Sequence, residues 1–309
     1  MTTTLRRAAH WHRPLMVLVC VMAVCGVVSA VGIFADSRVL TGVPIWVKPF
    51  KFSVSLALYG ATLAWMLSLL PRRSRVAEWA GTVIVAMAAV EMVVIVGQVL
   101  RGTTSHYNET TPLNALLWKV MGIAIGMLFI SHFVIGIAVL RRPIADRVAG
   151  YAVRLGLGLS LLGMLAAVPM VLPTQEPDIE GIAGAHSVGV PDGGPGLPLV
   201  GWSTTGGDLR IGHFVGLHGL QALPILAILL SRFLGTRLDE RSQVRLLTVA
   251  GAAYGVLTVL VTWQALRGQP LLRPDALTLA AVATLVVATA TAAGVIVARR
   301  RRPELALAA

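Results

Sequence analysis

Eight runs of mostly apolar residues, each about twenty residues long, fix what this chain can fold into. They extend from Pro14 to Phe34, Lys48 to Leu70, Trp79 to Leu100, Asn114 to Leu140, Ala149 to Leu172, Leu209 to Leu230, Leu246 to Leu266 and Leu277 to Ala298. At a rise of about 1.5 Å per residue each is long enough to cross a hydrocarbon layer ~30 Å thick, where a helix satisfies its backbone polar groups within one segment. Composition agrees, since 56% of residues are hydrophobic and only 13% charged, half the share in soluble domains. The expected fold is all-α: a polytopic transmembrane helix bundle of about eight spans, one domain over residues 1–309, with the lipid bilayer as its first partner. The first run follows Arg6, Arg7 and Arg13 and contains Val28-Ser29-Ala30, in the manner of a signal peptide. It continues past Ala30 to full spanning length and so reads as a span.

Net charge is +12, which in a soluble protein would suggest nucleic acid. Here 18 of the 26 basic residues fall on one side of the predicted bundle: near the N-terminus, at Arg72 to Arg75, Arg141 to Arg154, Arg232 to Arg245, and Arg299 to Arg302. Short loops rich in arginine stay in the cytoplasm, so both termini are expected there and the basicity is topology, not a nucleic-acid surface. Single cysteines at Ser187 and Ser242 would then label from outside and inside respectively. The natural cysteines, Cys20 and Cys25, stand about 140° apart on the first span, badly placed to pair and without histidine nearby.

The opposite side carries the elaborate connections, above all the Gly/Pro-rich extracytoplasmic loop 173–208 with Gln175, Glu176, Asp178 and Glu180 at its start. Glycine and proline punctuate its turns as a shaped loop requires, and its sparse charge and Trp202 argue against a tether. The segments VKPFKFSVSLALY, RGTTSHYN and AHSVGVPDGGPGLPLVGWSTTGGDLRIGHFVGLHGLQ resemble a widespread group of multi-pass bacterial membrane proteins with no established activity. That resemblance implies a polytopic fold in a bacterial cytoplasmic membrane and supplies no mechanism.

Polar residues gather in the outward half of the predicted spans. On the sixth span His213 lies about 6 Å down, His218 about 13 Å and Gln221 about 18 Å. On the third, Gln98 lies about 3 Å and Glu91 about 13 Å down, and on the second Tyr59 lies about 18 Å below a rim of Lys48 and Lys51. Glu91, Gln98 and Arg101 share one face of the third span; Lys48, Lys51, Ser55 and Tyr59 share one face of the second. Asp208 and Arg210 open the sixth, where Asp208, Thr204 or Thr205 is positioned to cap it. His132, about 27 Å down the fourth span, falls outside this group.

An ionisable group in hydrocarbon costs about 2.5–3.5 kcal/mol or more, so Glu91 marks a functional site, with His218 at its level as the expected partner. The ligand-binding set read from these patterns is Lys48, Lys51, Tyr59, Glu91, Gln98, Arg101, His106, Asp208, Arg210, His213, His218 and Gln221. It would form an outward-facing polar pocket for a small ligand, anionic in view of the basic rim, with Glu91 and His218 accepting protons. A second reading is a membrane-embedded metal-dependent or redox enzyme, its metal ion held by His106, His186, His213 or His218. Haem is disfavoured because only His218 lies at the required depth. A third reading is an accessory subunit that docks a partner membrane protein. No serine-nucleophile, phosphate-loop or dinucleotide pattern is present, and the residues name neither a reaction nor a cargo.

Overall fold

The computed structural model describes residues 11–172, 181–198 and 200–299, and it is 71% helical. The helices are α1 (Arg13–Ala35), α2 (Val47–Ser68), α3 (Arg75–Leu100), α4 (Pro112–Leu140), α5 (Arg147–Leu165), α6 (Arg210–Leu234), α7 (Glu240–Leu266) and α8 (Ala276–Arg299). Among the described residues these are the eight helices long and apolar enough to cross a membrane, as a multi-pass membrane protein requires. Of the residues that matter to the sequence reading, Arg6, Arg7, the polar start of the long loop and Arg300 to Arg302 lie outside the described residues.

Most helices begin earlier than hydropathy alone implies, because a polar cap rather than the first apolar residue sets the start. His12 Nδ1 accepts from the Leu15 N–H ahead of α1, Thr111 Oγ1 from Asn114 ahead of α4, and Asp146 from Ala149 ahead of α5. Asp239 does the same for Ser242 ahead of α7. Each cap satisfies an N–H that the helix itself leaves without an acceptor. The expected side-chain cap of α6 is absent: Leu209 holds the cap position, while Asp208 accepts from the Arg210 N–H at 3.0 Å. The fifth span is not one continuous helix. It stops at Leu165 and resumes as a short 3-10 turn, Val168–Val171, because Pro169 can neither donate to the ladder nor leave its neighbour helical.

The chain divides into two compact units. The first contains α1 to α4 and the segment Pro169–Ser203; α1 packs on α2, α3 packs on α4, and α1 and α2 both touch α3. Its core joins Leu18 and Met22 of α1 to Ala88, Met92 and Ile95 of α3 and Met121 of α4. Between α1 and α2 a small hairpin pairs β1 (Val39–Leu40) with β2 (Val43–Pro44). Thr41 and Gly42 both take positive φ at its turn, as the twist of a two-residue hairpin demands.

The second unit holds α5 to α8, with α5 packed on α6 and α7, α6 on α7, and α7 on α8. Gly163 and Gly216 bring α5 and α6 into backbone contact, for a Cβ on either would overlap the other helix. Beside them Gly156 faces the Gly219 carbonyl. The α7–α8 connection is pinned by Arg267, which pairs with Asp275 at 2.6 Å and stacks on Trp263. Ser187 and Ser242 are both buried, so Gly194 and Thr236, both exposed, are the sound positions for topology labels.

Candidate functional site

Along α3 the residues Ile84, Ala88, Glu91, Ile95 and Gln98 recur every three or four positions and are all buried. Glu91 is 2% exposed, and neither of its carboxylate oxygens has a hydrogen-bond partner among the described residues. Its helical neighbours Ala88, Met92 and Ile95 belong to the apolar core with Leu18, Met22 and Met121. On α2 the Ser53 hydroxyl is equally buried and equally without a partner. The Lys48 ammonium, on the first turn of α2, acts electrostatically on Glu91. A buried acid without a donor is costly in either protonation state. Such a group is kept where it takes up a proton, a cation or a polar ligand.

Gln98 and Arg101, expected on the same face, are brought together and tied to the start of α4. Gln98 Nε2 donates to Asn114 Oδ1 at 3.0 Å and to the Thr104 carbonyl at 3.2 Å. The Arg101 guanidinium donates to Gln98 Oε1 at 2.6 Å and to Asn114 Oδ1 at 3.0 Å. Asn114 Nδ2 donates in turn to Thr110 Oγ1, whose hydroxyl donates to Asn108 Oδ1. The network closes the α3–α4 connection into a polar collar. Asn108 and Asn114 were not singled out in the sequence, although the density of small polar residues in RGTTSHYNETT is the signal that marks them.

His106 sits on the same connection within a group of rings. Its centroid is 5.6 Å from Phe52 of α2, 5.7 Å from Trp118 of α4 and 6.1 Å from Tyr107, and Ser105 Oγ lies 3.1 Å from its Nδ1. Burial holds this imidazole well below its usual range, and the positive charges of Lys48 and His186 push it the same way. Tyr107 is buried at φ 58°, a left-handed backbone that few bulky residues adopt. Its other face meets His186 of the long loop, ring centroids 5.0 Å apart.

His186 Nδ1 pairs with Asp192 at 2.8 Å, and Asp192 also accepts the backbone N–H groups of His186 and Ser187. Burial works to raise the Asp192 pKa, yet the His186 bond and charge and the two backbone donors together hold it below the usual carboxylate range. The loop reaches this position because Gly184, at positive φ, lies so close to Tyr107 and the Met170 carbonyl that a Cβ would not fit. Backbone bonds from Ala183 to Tyr107 and from Glu109 to Gly181 fasten it to the α3–α4 connection. Lys51 donates to the Val200 carbonyl at 3.2 Å. Among the predicted residues, then, the first unit gathers Lys48, Lys51, Glu91, Gln98, Arg101, His106 and His186.

Tyr59 pairs with His132, which its depth count places outside the group. Its hydroxyl is 2.8 Å from Nδ1 of His132, a fully buried side chain, and the two rings stack at 5.8 Å. Counting the rise from each helix's first residue separates them by about 9 Å, an error that arises because α4, with 29 residues, is longer than one crossing and does not start level with α2.

The remaining predicted residues belong to the second unit. Asp208 is fully buried and accepts from the Arg210 side chain, so the charge of Arg210 is matched at the start of α6. His213 Nδ1 is 2.8 Å from the Gly163 carbonyl; a carbonyl only accepts, so Nδ1 carries the proton and satisfies an orphan group in the last turn of α5. His218 makes a tilted ring contact with Phe214 at 6.0 Å, and Gln221 is half-buried a turn further on. On α6 the inward stripe is Gly212, Gly216, Gly219 and Leu223 rather than the polar set.

Two grooves open at the arginine-bearing helix ends, one lined by Ser74, Phe133, Ile137, Arg141 and Arg142, the other by Arg147, Tyr151, Arg241 and Arg245 with their apolar neighbours. Neither reaches Glu91 or His106, so the candidate site is defined by its buried side chains. Among the described residues no three or more His, Cys, Asp or Glu side chains are grouped to hold a metal ion. No protein-family model, curated protein or solved structure matches this chain.

Proposed function

We propose that this chain is a multi-pass protein of a bacterial cytoplasmic membrane, with both termini inside, that binds or carries a small ligand entering from the extracytoplasmic side. Glu91 takes up a proton or cation as the ligand binds. The observation that carries this reading is the Glu91 carboxyl, buried on a spanning helix with neither oxygen hydrogen-bonded among the described residues. Lys48 and Lys51 at the head of α2 supply positive charge above it, which favours an anionic ligand. The His106 and His186 ring cluster provides apolar and aromatic walls at the same end of the first unit.

Infrared difference spectra of the purified protein test the first part. A carbonyl band of a protonated carboxylic acid should titrate with pH in the wild type and vanish in Glu91→Gln; an unchanged band in the variant removes Glu91 from the reading. For the ligand, inorganic phosphate and succinate serve as probe anions in thermal-shift titrations. The expected stabilisation is present in the wild type and lost in Lys48→Gln. Orientation is checked in a background with Cys20 and Cys25 replaced by Ala: Gly194→Cys should label from outside intact cells and Thr236→Cys only after permeabilisation.

A further inference from the structure

The groove between α5, α7 and α8 in the second unit has a composition that topology alone does not require. It measures about 700 Å³, and three arginines line it: Arg147 from the first turn of α5, and Arg241 and Arg245 from the first two turns of α7. Its remaining walls are Tyr151, Thr248 and the apolar Val244, Val249 and Ile296. All three guanidiniums are exposed, and none makes an ion pair among the described residues. Of the carboxylates at this end of the unit, Asp146 accepts from the Ala149 N–H at 3.0 Å and Asp239 from the Ser242 N–H at 3.2 Å, and the exposed Glu240 at the start of α7 forms no ion pair with the three arginines among the described residues.

Arginine in the first turn of a helix opposes the helix dipole. Two such helices start side by side here, since α5 packs on α7, and their positive ends add to the three guanidiniums. We infer that this groove is a binding site for the phosphate headgroup of an anionic phospholipid, its acyl chain lying along Val249 and Ile296. The occupant is amphipathic because the groove is: a charged mouth made for an oxyanion leads into apolar walls on helices that face lipid. Guanidinium forks bind phosphate in two-point geometry that an ammonium does not reproduce. The leaflet is the one on the arginine-rich side, where anionic lipids and juxtamembrane basic residues meet. This site rests on the membrane reading of the eight helices and is independent of the role assigned to Glu91.

Native mass spectrometry of the full-length protein, released from nanodiscs holding equal phosphatidylglycerol and phosphatidylethanolamine, tests it. The wild type should retain phosphatidylglycerol about tenfold over the neutral-headed lipid, and R147Q/R241Q/R245Q should lose that preference. R147K/R241K/R245K keeps the charge that sets topology and should still lose most of the preference. Val249→Trp leaves every guanidinium in place and fills the apolar wall, so it should lower retention as well, whereas Arg232→Gln, at the same end but outside the groove, should not. Equal retention of the two lipids by the wild type, or wild-type retention by both arginine triples, overturns the site. So does displacement of the lipid by millimolar inorganic phosphate with Val249→Trp unaffected, which would make the groove a site for a free anion.

Discussion

Where α3 meets its neighbours in the first unit, the buried face carries Glu91 and Gln98, and α4 adds Asn114 and His132. The face that α5 offers α6 in the second unit is instead made of Gly156 and Gly163, set against Gly216 and Gly219. Both arrangements answer the same difficulty, that helices in lipid gain little from the hydrophobic effect when they associate. The second unit answers it by bringing backbones close enough for van der Waals contact, with His213 bonded to the Gly163 carbonyl across the seam. The first answers it with polar contacts between helices and still leaves one acid unmatched. Tight glycine seams stabilise and do little else. An unmatched acid lowers stability, so its retention speaks for function.

The largest effect expected from this contrast is at the glycine seam. Gly163→Leu must separate α5 from α6 and should cost more than about 3 kcal/mol, enough to abolish folded protein in size-exclusion and thermal-unfolding assays. Gly158 lies on the same helix with open space where a Cβ would be. Gly158→Ala should therefore be neutral or stabilising by about 0.5–1 kcal/mol. Equal damage from both variants would mean that helix propensity, not close approach, explains the glycines.

Glu91 should respond in the opposite sense. Replacing a buried, unmatched acid with an apolar residue of similar size removes a desolvation cost, and the same exchange at buried ion pairs is neutral or stabilising by about 1–4 kcal/mol. Glu91→Leu should raise the unfolding temperature by several degrees while removing the titrating carboxyl band. A variant that falls apart would show that Glu91 is a packing element and would dissolve the contrast between the units.

Tyr59 and His132 make a smaller, structural test inside the same unit. Tyr59→Phe deletes the hydroxyl bonded to His132 Nδ1 and keeps the ring stack. Hydrogen bonds between membrane helices are worth about 0.6 kcal/mol on average and up to about 1.7. A loss of about 1 kcal/mol in thermal unfolding is expected, with the Glu91 band unmoved. A shift in that band would join the Tyr59 pair to the Glu91 site.

What could be read in the residues divides along similar lines. The spans are legible because twenty apolar residues have one stable form in lipid, and most lie within about four residues of their expected bounds, the exceptions being the fifth, whose α-helix stops at Leu165, and the seventh, which starts six residues early at Glu240. The identity of Glu91 as the costly residue was legible for the same reason. Neighbours between helices were not, since periodicity gives the face a residue occupies on its own helix and says nothing about which helix that face meets. A depth count that starts every helix at one level separates His132 from Tyr59, although the two side chains meet. Tyr107, Trp118 and Asp192 were missed because they act through ring and loop contacts that no spacing rule encodes. On α6 the histidines of IGHFVGLHGLQ are the more conspicuous signal, yet the packing face is set by Gly212, Gly216 and Gly219, which stand there at helical spacing.

The smallest effect expected is a pH dependence confined to the first unit. His106 has its folded pKa depressed by burial and by Lys48 and His186, so the folded state prefers the neutral ring. Its contribution is then fully present above the unfolded value of about 6.5 and falls away as pH drops below it, because the unfolded chain binds the proton first. Asp192, which also faces this cluster through His186, is depressed too, but its contribution is lost only below about pH 4. Between about pH 7 and pH 5 the two are therefore separable. The His106 residue keeps only partial exposure to solvent, and what exposure it has screens the effect, so the difference over that range should be modest. Unfolding temperatures of the wild type and His106→Phe, measured across it, should diverge with acidification, the wild type falling further. Parallel curves would show that the imidazole accepts its proton without penalty. The Phe52, Tyr107 and Trp118 enclosure would then be open to water, and the first unit would bury less chemistry at its polar end than the contrast with the glycine seam assigns to it.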